Sequence, residues 1–225
     1  MIKAIFCDFY GTVVFEDDEP IGEITHKVFV SSNAENAKEI GSFWSNRFST
    51  LCAESFGDTF RSQRDLEVQS LSDTIKRFGS KEDAIELSAP QFTYWQKPPI
   101  FPDSKEFIER CPLPVYIVSN IDTADLEAAI CFHGIETAGI VTSEEAHAYK
   151  PRSEMFHLAL RKFGYLPGEV IHVGDSISSD VYGAKAAGIM PIWVNRKNKA
   201  IPHDVYQHVA DLLGVIDILK AGEKQ

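Results

Sequence analysis

Short apolar runs and helical periodicity alternate along most of this chain. Five β-rich runs are nearly continuous in apolar character, at residues 4–7, 115–118, 139–142, 170–173 and 191–194. Strands without polar alternation are typical of a sheet that is covered on both faces. Three segments between the last four runs have apolar residues at three- and four-residue spacing, at residues 122–133, 153–163 and 179–187. This alternation predicts an α/β fold with a doubly wound parallel sheet.

The first and second runs are separated by about a hundred residues, which is too long for a plain crossover between neighbouring strands. Helix-compatible stretches fill this segment, at residues 22–30, 35–56, 65–78 and 82–95. Pro98, Pro99 and Pro102 then end the helical pattern. We therefore predict a second, smaller α-helical domain at residues 15–96, inserted into a core formed by residues 1–14 and 97–225.

Aromatic residues are frequent in the predicted insertion. We expect most of them to form its hydrophobic core, although pattern alone does not select any that face a substrate: Phe43, Trp44, Phe48, Phe56, Phe60, Tyr94 and Trp95.

Composition narrows the classes of partner. The chain has 225 residues, 44% of them hydrophobic, and a net charge of −11. This charge argues against nucleic-acid binding, which needs clustered Lys and Arg, but it leaves a small anionic substrate open. Because Asp8 interrupts the first apolar run, we expect no signal peptide there, and no apolar stretch is long enough to span a membrane. We therefore expect a cytoplasmic monomer or homodimer that acts on a small molecule.

The four cysteines are widely scattered and include no CxxC pair. We expect buried apolar thiols in a reducing compartment, without a disulfide framework. Cys7 adjoins Asp8, but strand alternation turns it to the opposite face, so we interpret it as structural.

Polar residues gather where the predicted strands end. In a doubly wound sheet, ligands bind beyond the carboxyl ends of the strands. The residues at these ends are Asp8, Tyr10 and Thr12 after the first strand, Ser119 and Asn120 after the second, Lys150 after the third, and Asp175 and Asp180 after the fourth. A lone acid at a strand end is more often a turn or cap residue. Their occurrence at successive strand ends predicts one active site.

These segments resemble the four ordered motifs of the haloacid dehalogenase superfamily. The matching stretches are Asp-x-Tyr-Gly-Thr from residue 8, Ser-Asn from residue 119, Lys-Pro from residue 150 and Gly-Asp-Ser-x-x-x-Asp from residue 174. The helical insertion after the first motif resembles the small cap domain of that superfamily. The resemblance covers the core and the position of the cap, and it implies a hydrolase.

The resemblance implies that Asp8 is the nucleophile and forms a covalent intermediate. Thr12 and Ser119, with the adjacent Asn120, would bind the oxygens of the substrate. Lys150 would keep Asp8 ionised and offset the charge of the substrate.

The resemblance also implies a Mg²⁺ site. Asp8, the backbone carbonyl of Tyr10 and Asp175 would coordinate the ion, while Asp180 would orient Lys150 or a metal-bound water. A hard cation with oxygen ligands relieves the repulsion between a carboxylate and an anionic phosphate. We therefore expect an Mg²⁺-dependent phosphohydrolase that acts on a small phosphorylated metabolite through an aspartyl-phosphate.

Tyr10 departs from this pattern. Phosphatases of the superfamily have a second Asp here as general acid, whereas 2-haloacid dehalogenases have Tyr, since halide leaves without a proton. Dehalogenases lack the metal-binding acid that this chain has at Asp175, and they need an Arg from the cap. Candidates for that Arg are Arg47, Arg61 and Arg64. A metal-independent 2-haloacid dehalogenase and a catalytically weak binding protein stay open as alternatives.

Overall fold

A six-stranded parallel sheet forms the centre of the computed structural model, which describes residues 1–222. The strands are β1 (Ala4–Cys7), β2 (Val115–Ser119), β3 (Gly139–Thr142), β4 (Val170–Gly174), β5 (Met190–Val194) and β6 (His208–Val209). Their order in the sheet is β3-β2-β1-β4-β5-β6. The predicted doubly wound α/β fold is confirmed. The sequence pattern missed β6, because a two-residue strand is too short to show a period.

Ten helices accompany the sheet within the described residues. They are α1 (Asp18–Val30), α2 (Ala37–Glu54), α3 (Gln63–Phe78), α4 (Ala84–Gln96), α5 (Ser104–Arg110), α6 (Thr123–His133), α7 (Ser143–Ala146), α8 (Ser153–Phe163), α9 (Gly183–Ala186) and α10 (Leu213–Gly222). The predicted helix at residues 179–187 instead begins as a π-helical turn, Ile177–Tyr182, and continues as α9. None of the described helices combines the length and the apolar character that crossing a membrane requires.

The core strands are buried on both faces, which explains their continuous apolar character. Ile5 and Cys7 of β1 pack into one hydrophobic cluster, and Ala4 and Phe6 pack into another. This alternation turns Cys7 away from Asp8, as expected. All four cysteines are free, but only Cys7 is buried; the exposed Cys131 corrects the expectation that all four thiols are buried.

Helices α1 to α4 occupy the chain between β1 and β2. Asn36, Ser62 and Asp83 each accept a backbone N–H at the start of α2, α3 and α4, which explains where these helices begin. The helices share an apolar cluster formed by Ile24, Val28, Ile40, Trp44, Leu71 and Leu87. The domain boundaries at residues 14/15 and 96/97 stay a prediction.

Core and insertion meet at the first turn of α3. The Asp122 carboxylate, just before α6, accepts the backbone N–H groups of Gln63 (2.7 Å) and Arg64 (3.0 Å). The Arg64 side chain donates from Nε to Asp125 Oδ2 at 2.7 Å. These bonds attach α3 directly to the loop that follows β2 and to α6.

Candidate active site

Asp8 lies immediately after β1, where its backbone N–H donates to the carbonyl of Val173 at 2.8 Å. The Thr12 hydroxyl donates to Asp8 Oδ2 at 3.1 Å and accepts the N–H of Asp175 at 3.0 Å. Gly11, directly before Thr12, has a φ of +85°, and a Cβ at this position would lie 2.6 Å from Asp175 Oδ1. The glycine therefore permits the close approach of the first and fourth motifs. The substrate contact expected for Thr12 stays a prediction, since its hydroxyl already joins the two motifs.

Lys150 is buried between two carboxylates. Its Nζ donates to Asp8 Oδ1 (2.7 Å), Asp180 Oδ1 (2.6 Å) and the carbonyl of Val118 (2.9 Å). All three donors of the ammonium group are therefore used. Burial opposes the charge, but Asp180 and Asp8 outweigh burial and raise the pKa of Lys150 well above its usual range. The side chain is thus a fixed cation beside Asp8.

Asn120 holds the backbone of Lys150. Its Oδ1 accepts the N–H of Lys150 at 2.7 Å, and its Nδ2 donates to the carbonyl of Lys150 at 3.1 Å. The neighbouring Ser119 is buried, and its hydroxyl makes no hydrogen bond to another residue in the range 1–222. Ser119 can therefore still bind a substrate oxygen, whereas the Asn120 amide is already paired. Substrate binding by either residue stays a prediction.

Three carboxylates converge at this end of the sheet. Oxygen atoms of Asp8, Asp175 and Asp180 lie within 4.8 Å of one another. Burial, followed by the charge of Asp8, raises the pKa of Asp175 to about 8. Burial also raises the pKa of Asp8 to about 6, although Lys150 opposes this shift. A cluster of buried oxygen ligands that repel one another fits a hard divalent cation such as Mg²⁺. Coordination by the Tyr10 carbonyl stays a prediction.

Asp180 has a second buried neighbour that sequence reasoning missed. His172 of β4 is fully buried, and its Nε2 lies 2.9 Å from Asp180 Oδ1. Burial lowers the pKa of His172, so the ring is neutral and Nε2 carries the proton that Asp180 accepts. The pKa of Asp180 is lowered despite its burial, chiefly by the charge of Lys150. A histidine inside an otherwise apolar strand was the available signal.

Tyr10 points towards the insertion. Its hydroxyl donates to the carbonyl of Trp95, at the end of α4, at 2.6 Å. Burial, followed by the charges of Asp125 and Asp17, raises the pKa of this phenol far above its usual range. Tyr10 is therefore protonated, and its proton is engaged by a backbone acceptor. The catalytic role proposed for it stays a prediction.

A cavity of about 200 Å³ lies beside Tyr10 and Asn120. Its wall includes three of the predicted aromatics, Trp44, Phe48 and Trp95, together with polar residues that sequence reasoning did not select: Asp17, Glu67 and Gln91. Those three polar residues lie on the segment between β1 and β2 with no motif to mark them. Only the folded chain brings them to one cavity.

The three candidate arginines do not line this cavity. Arg47 donates from Nε to Asp73 Oδ2 at 2.6 Å, and Arg64 pairs with Asp125. Arg61 is exposed and lies just before α3, where its Nη2 donates to the backbone carbonyl of Asp65 at 3.4 Å. Two of the three are thus held by carboxylates.

The sequence is similar to those of known phosphatases. The chain is 30% identical over 125 residues to the phosphoserine phosphatase of Thermus thermophilus, a match that covers 52% of this chain and 49% of that protein. It is 31% identical over 115 residues to the ribulose-1,5-bisphosphate 5-phosphatase of Halopiger xanaduensis, covering 48% and 47%. The matches thus span about half the length of these relatives.

A solved structure shares the fold over the whole length. The L-2-haloacid dehalogenase of Xanthobacter autotrophicus has a TM-score of 0.75 and 17% identity, covering 98% of this chain and 99% of that one. The sequence profile of the haloacid dehalogenase-like hydrolases matches residues 2–188, which is more than half of the chain. This protein therefore belongs to the haloacid dehalogenase-like hydrolase family.

Proposed function

We propose that this hydrolase is an Mg²⁺-dependent phosphohydrolase that acts on a small phosphorylated metabolite. The carrying observation is the cluster of Asp8, Asp175 and Asp180, whose oxygens lie within 4.8 Å of one another. Three acids and one lysine leave an excess of buried negative charge, which is costly without a bound cation. The similarity to two phosphatases at about 30% identity also supports this reaction class.

In the proposed reaction, Asp8 attacks the phosphorus and the ester oxygen leaves with its electron pair. Lys150 holds Asp8 Oδ1 and Thr12 holds Oδ2, so the nucleophile is oriented before substrate arrives. The resulting aspartyl-phosphate is then hydrolysed by water, which regenerates the Asp8 carboxylate and releases phosphate. Bound Mg²⁺ would supply positive charge that offsets the repulsion between the carboxylate and the phosphate.

Tyr10 favours a second candidate, a metal-independent 2-haloacid dehalogenase, since halide needs no proton when it leaves. Two observations weigh against it. Asp175 would be a partly buried acid without a use, and its pKa is raised to about 8 by burial and by the charge of Asp8. Arg47 and Arg64 are already bound to Asp73 and Asp125. The phosphohydrolase accounts for the acid cluster, and the dehalogenase does not.

The test is turnover of 4-nitrophenyl phosphate with Mg²⁺ and with excess chelator. We expect turnover with Mg²⁺, loss in chelator and loss in Asp8→Asn, whereas Asp58→Asn at an exposed position should retain activity. Full activity in chelator would contradict the requirement for Mg²⁺, and full activity in Asp8→Asn would contradict the role of Asp8 as nucleophile. Halide release from 2-chloropropionate without metal would establish the dehalogenase. Binding of either compound without turnover would indicate a binding protein.

A further inference from the structure

The cavity beside Tyr10 adjoins the proposed catalytic residues. Tyr10 lies two residues beyond Asp8, and Asn120, also in the wall, binds the backbone of Lys150. At about 200 Å³ the space suits a group of a few heavy atoms. The cavity therefore lies next to the loop that follows Asp8, although Asp8 itself is not part of the wall.

The buried wall of this cavity has an excess of hydrogen-bond acceptors. The Gln91 amide donates from Nε2 to Asp17 Oδ2 at 2.8 Å, while its Oε1 has no partner. Because Asp17 accepts this bond, the amide orientation is fixed with Oε1 as the free acceptor. Gln91 is 2% exposed, and a buried acceptor without a partner costs about 1–3 kcal/mol. A hydrogen-bond donor in the cavity would remove this cost.

The donors of the buried wall are already engaged. Trp44 donates its indole N–H to Ser70 at 3.0 Å, and Trp95 donates its own to Asp17 Oδ2 at 2.7 Å. The Tyr10 hydroxyl donates to the Trp95 carbonyl. The aromatic rings therefore offer the cavity carbon surface. Among the buried residues of the wall the unpaired polar atom is the acceptor Gln91 Oε1, while the exposed Ser45 and the half-buried Gln63 add a hydroxyl and an amide.

The charges of the wall have one sign. Glu16, Asp17 and Glu67 line the cavity, and no Lys, Arg or His does so among residues 1–222. Glu67 is 5% exposed, and burial raises the pKa of its carboxyl to about 8, so a neighbouring cation would stabilise its ionised form. A cation in this space would be attracted both by the carboxylates and by the faces of the aromatic rings. An anionic group would find no counter-charge.

We infer that this cavity binds a protonated amine, so that the substrate is a small phosphate monoester whose leaving group has an ammonium group. This inference rests on the proposed function, because it places the leaving group beside Asp8. The ammonium would donate to Gln91 Oε1 and to the acids of the wall. A carboxylate next to the amine would be disfavoured for lack of a cation.

The kinetic test compares esters that differ only at the far end of the leaving group. We expect 2-aminoethyl phosphate to exceed propyl phosphate and 2-hydroxyethyl phosphate in kcat/KM by at least about tenfold, with Mg²⁺ present. It should also exceed O-phosphoserine, which adds a carboxylate. Equal kcat/KM values for the amine and the alcohol would overturn the recognition of an ammonium group and indicate a site for any hydrogen-bond donor. Turnover of 4-nitrophenyl phosphate without any amine preference would overturn the inference and leave the proposed function intact.

Matched variants test whether this cavity causes the preference for the amine ester. Glu67→Gln keeps the shape of the side chain but cannot ionise beside a cation, and Glu86→Gln makes the same substitution at an exposed position of α4. We expect the preference for 2-aminoethyl over 2-hydroxyethyl phosphate to fall below about threefold in Glu67→Gln and to persist in Glu86→Gln. An unchanged preference in a folded Glu67→Gln protein would overturn the assignment of this cavity.

A binding measurement separates the inference from catalysis. We expect propylammonium chloride to raise the Tm of the full chain more than propanol or sodium chloride at the same concentration. Gln91→Leu should remove the difference, because it removes the unpaired acceptor. Equal Tm shifts with all three additives would overturn the inference, whatever the outcome of the phosphatase assays.

Discussion

The hydroxyl of Tyr10 donates a 2.6 Å hydrogen bond to the backbone carbonyl of Trp95, and this bond joins the loop after β1 to the end of α4. A phenol has a single proton to donate. While that proton is held by Trp95, it is not available to the ester oxygen of a substrate. A leaving group at Asp8 therefore departs without strong acid assistance from this residue.

Leaving-group dependence tests this relationship. We expect the protein to prefer aryl over alkyl phosphates, because an alkoxide needs a proton more than a phenolate does. Tyr10→Asp should raise kcat/KM for an alkyl phosphate at least about tenfold more than for an aryl phosphate. Tyr10→Phe is the control, and it should leave the ratio of the two substrates within about threefold. A large fall of the alkyl rate in Tyr10→Phe would instead identify the phenol as the acid.

Replacement of Lys150 should affect catalysis and stability together. Lys150→Met removes the cation between Asp8 and Asp180 and leaves two buried carboxylates without it. We expect kcat/KM for 4-nitrophenyl phosphate to fall at least tenfold, or about 1.4 kcal/mol. The free energy of unfolding in urea should fall by about 3–5 kcal/mol. Lys162→Met, at a half-exposed pair with Glu145, should change neither quantity comparably. Parental turnover by folded Lys150→Met would remove Lys150 from the site.

The stability of the protein should depend on pH through Glu67. Burial, followed by the charge of Asp17, raises the pKa of this carboxyl from 4.5 to about 8 in the folded protein. Between these values the unfolded chain is ionised and the folded chain retains the proton, so stability falls as pH rises. Relative to Glu67→Gln, the wild type should therefore lose a few kcal/mol of unfolding free energy between pH 5 and 8. Urea unfolding at both pH values measures this difference, and a parallel response of the two proteins would contradict it.

Asp122 should stabilise the attachment of the insertion to the core. Its carboxylate accepts two backbone N–H groups in the first turn of α3, which otherwise have no helical partner. Asp122→Ala should lower the free energy of unfolding by about 0.5–2 kcal/mol, the range measured for helix caps. Asp122→Asn keeps an acceptor oxygen and should recover part of the loss. Equal stability of the alanine variant and the parent in urea would show that these bonds contribute nothing.

The sheet could be predicted from the sequence because strands that are buried on both faces are continuously apolar. The first and third strands match the prediction at both ends, and β6 escaped because two residues carry no pattern. The π-helical turn after β4 also escaped. In this turn Asp180 Oδ2 accepts the N–H of Ser176 at 2.9 Å, and helical periodicity in the sequence does not indicate such a bond.

Site residues could be predicted from the sequence only where they follow the ends of strands. Lys150 and Asp180 follow strands, and topology alone brings them to one edge of the sheet. Glu67 and Gln91 lie on different helices, and their shared cavity depends on how α3 and α4 pack, which no local pattern encodes. His172 was missed because a single histidine in an apolar strand looks the same in the sequence whether it only packs in the core or also binds a site residue.

The sheet order has a consequence for synthesis of the protein. Ile5 of β1 pairs with Val115 and with Ile171, about 110 and about 165 residues further along the chain. At roughly 5–20 residues per second, the ribosome completes the second of these partners some 10–30 s after the first strand is made. Contacts of such long sequence separation also form slowly. The strand that precedes Asp8 therefore lacks its β4 partner through most of translation, and a nascent chain cut short before β4 lacks the Val173 carbonyl that accepts the backbone N–H of Asp8.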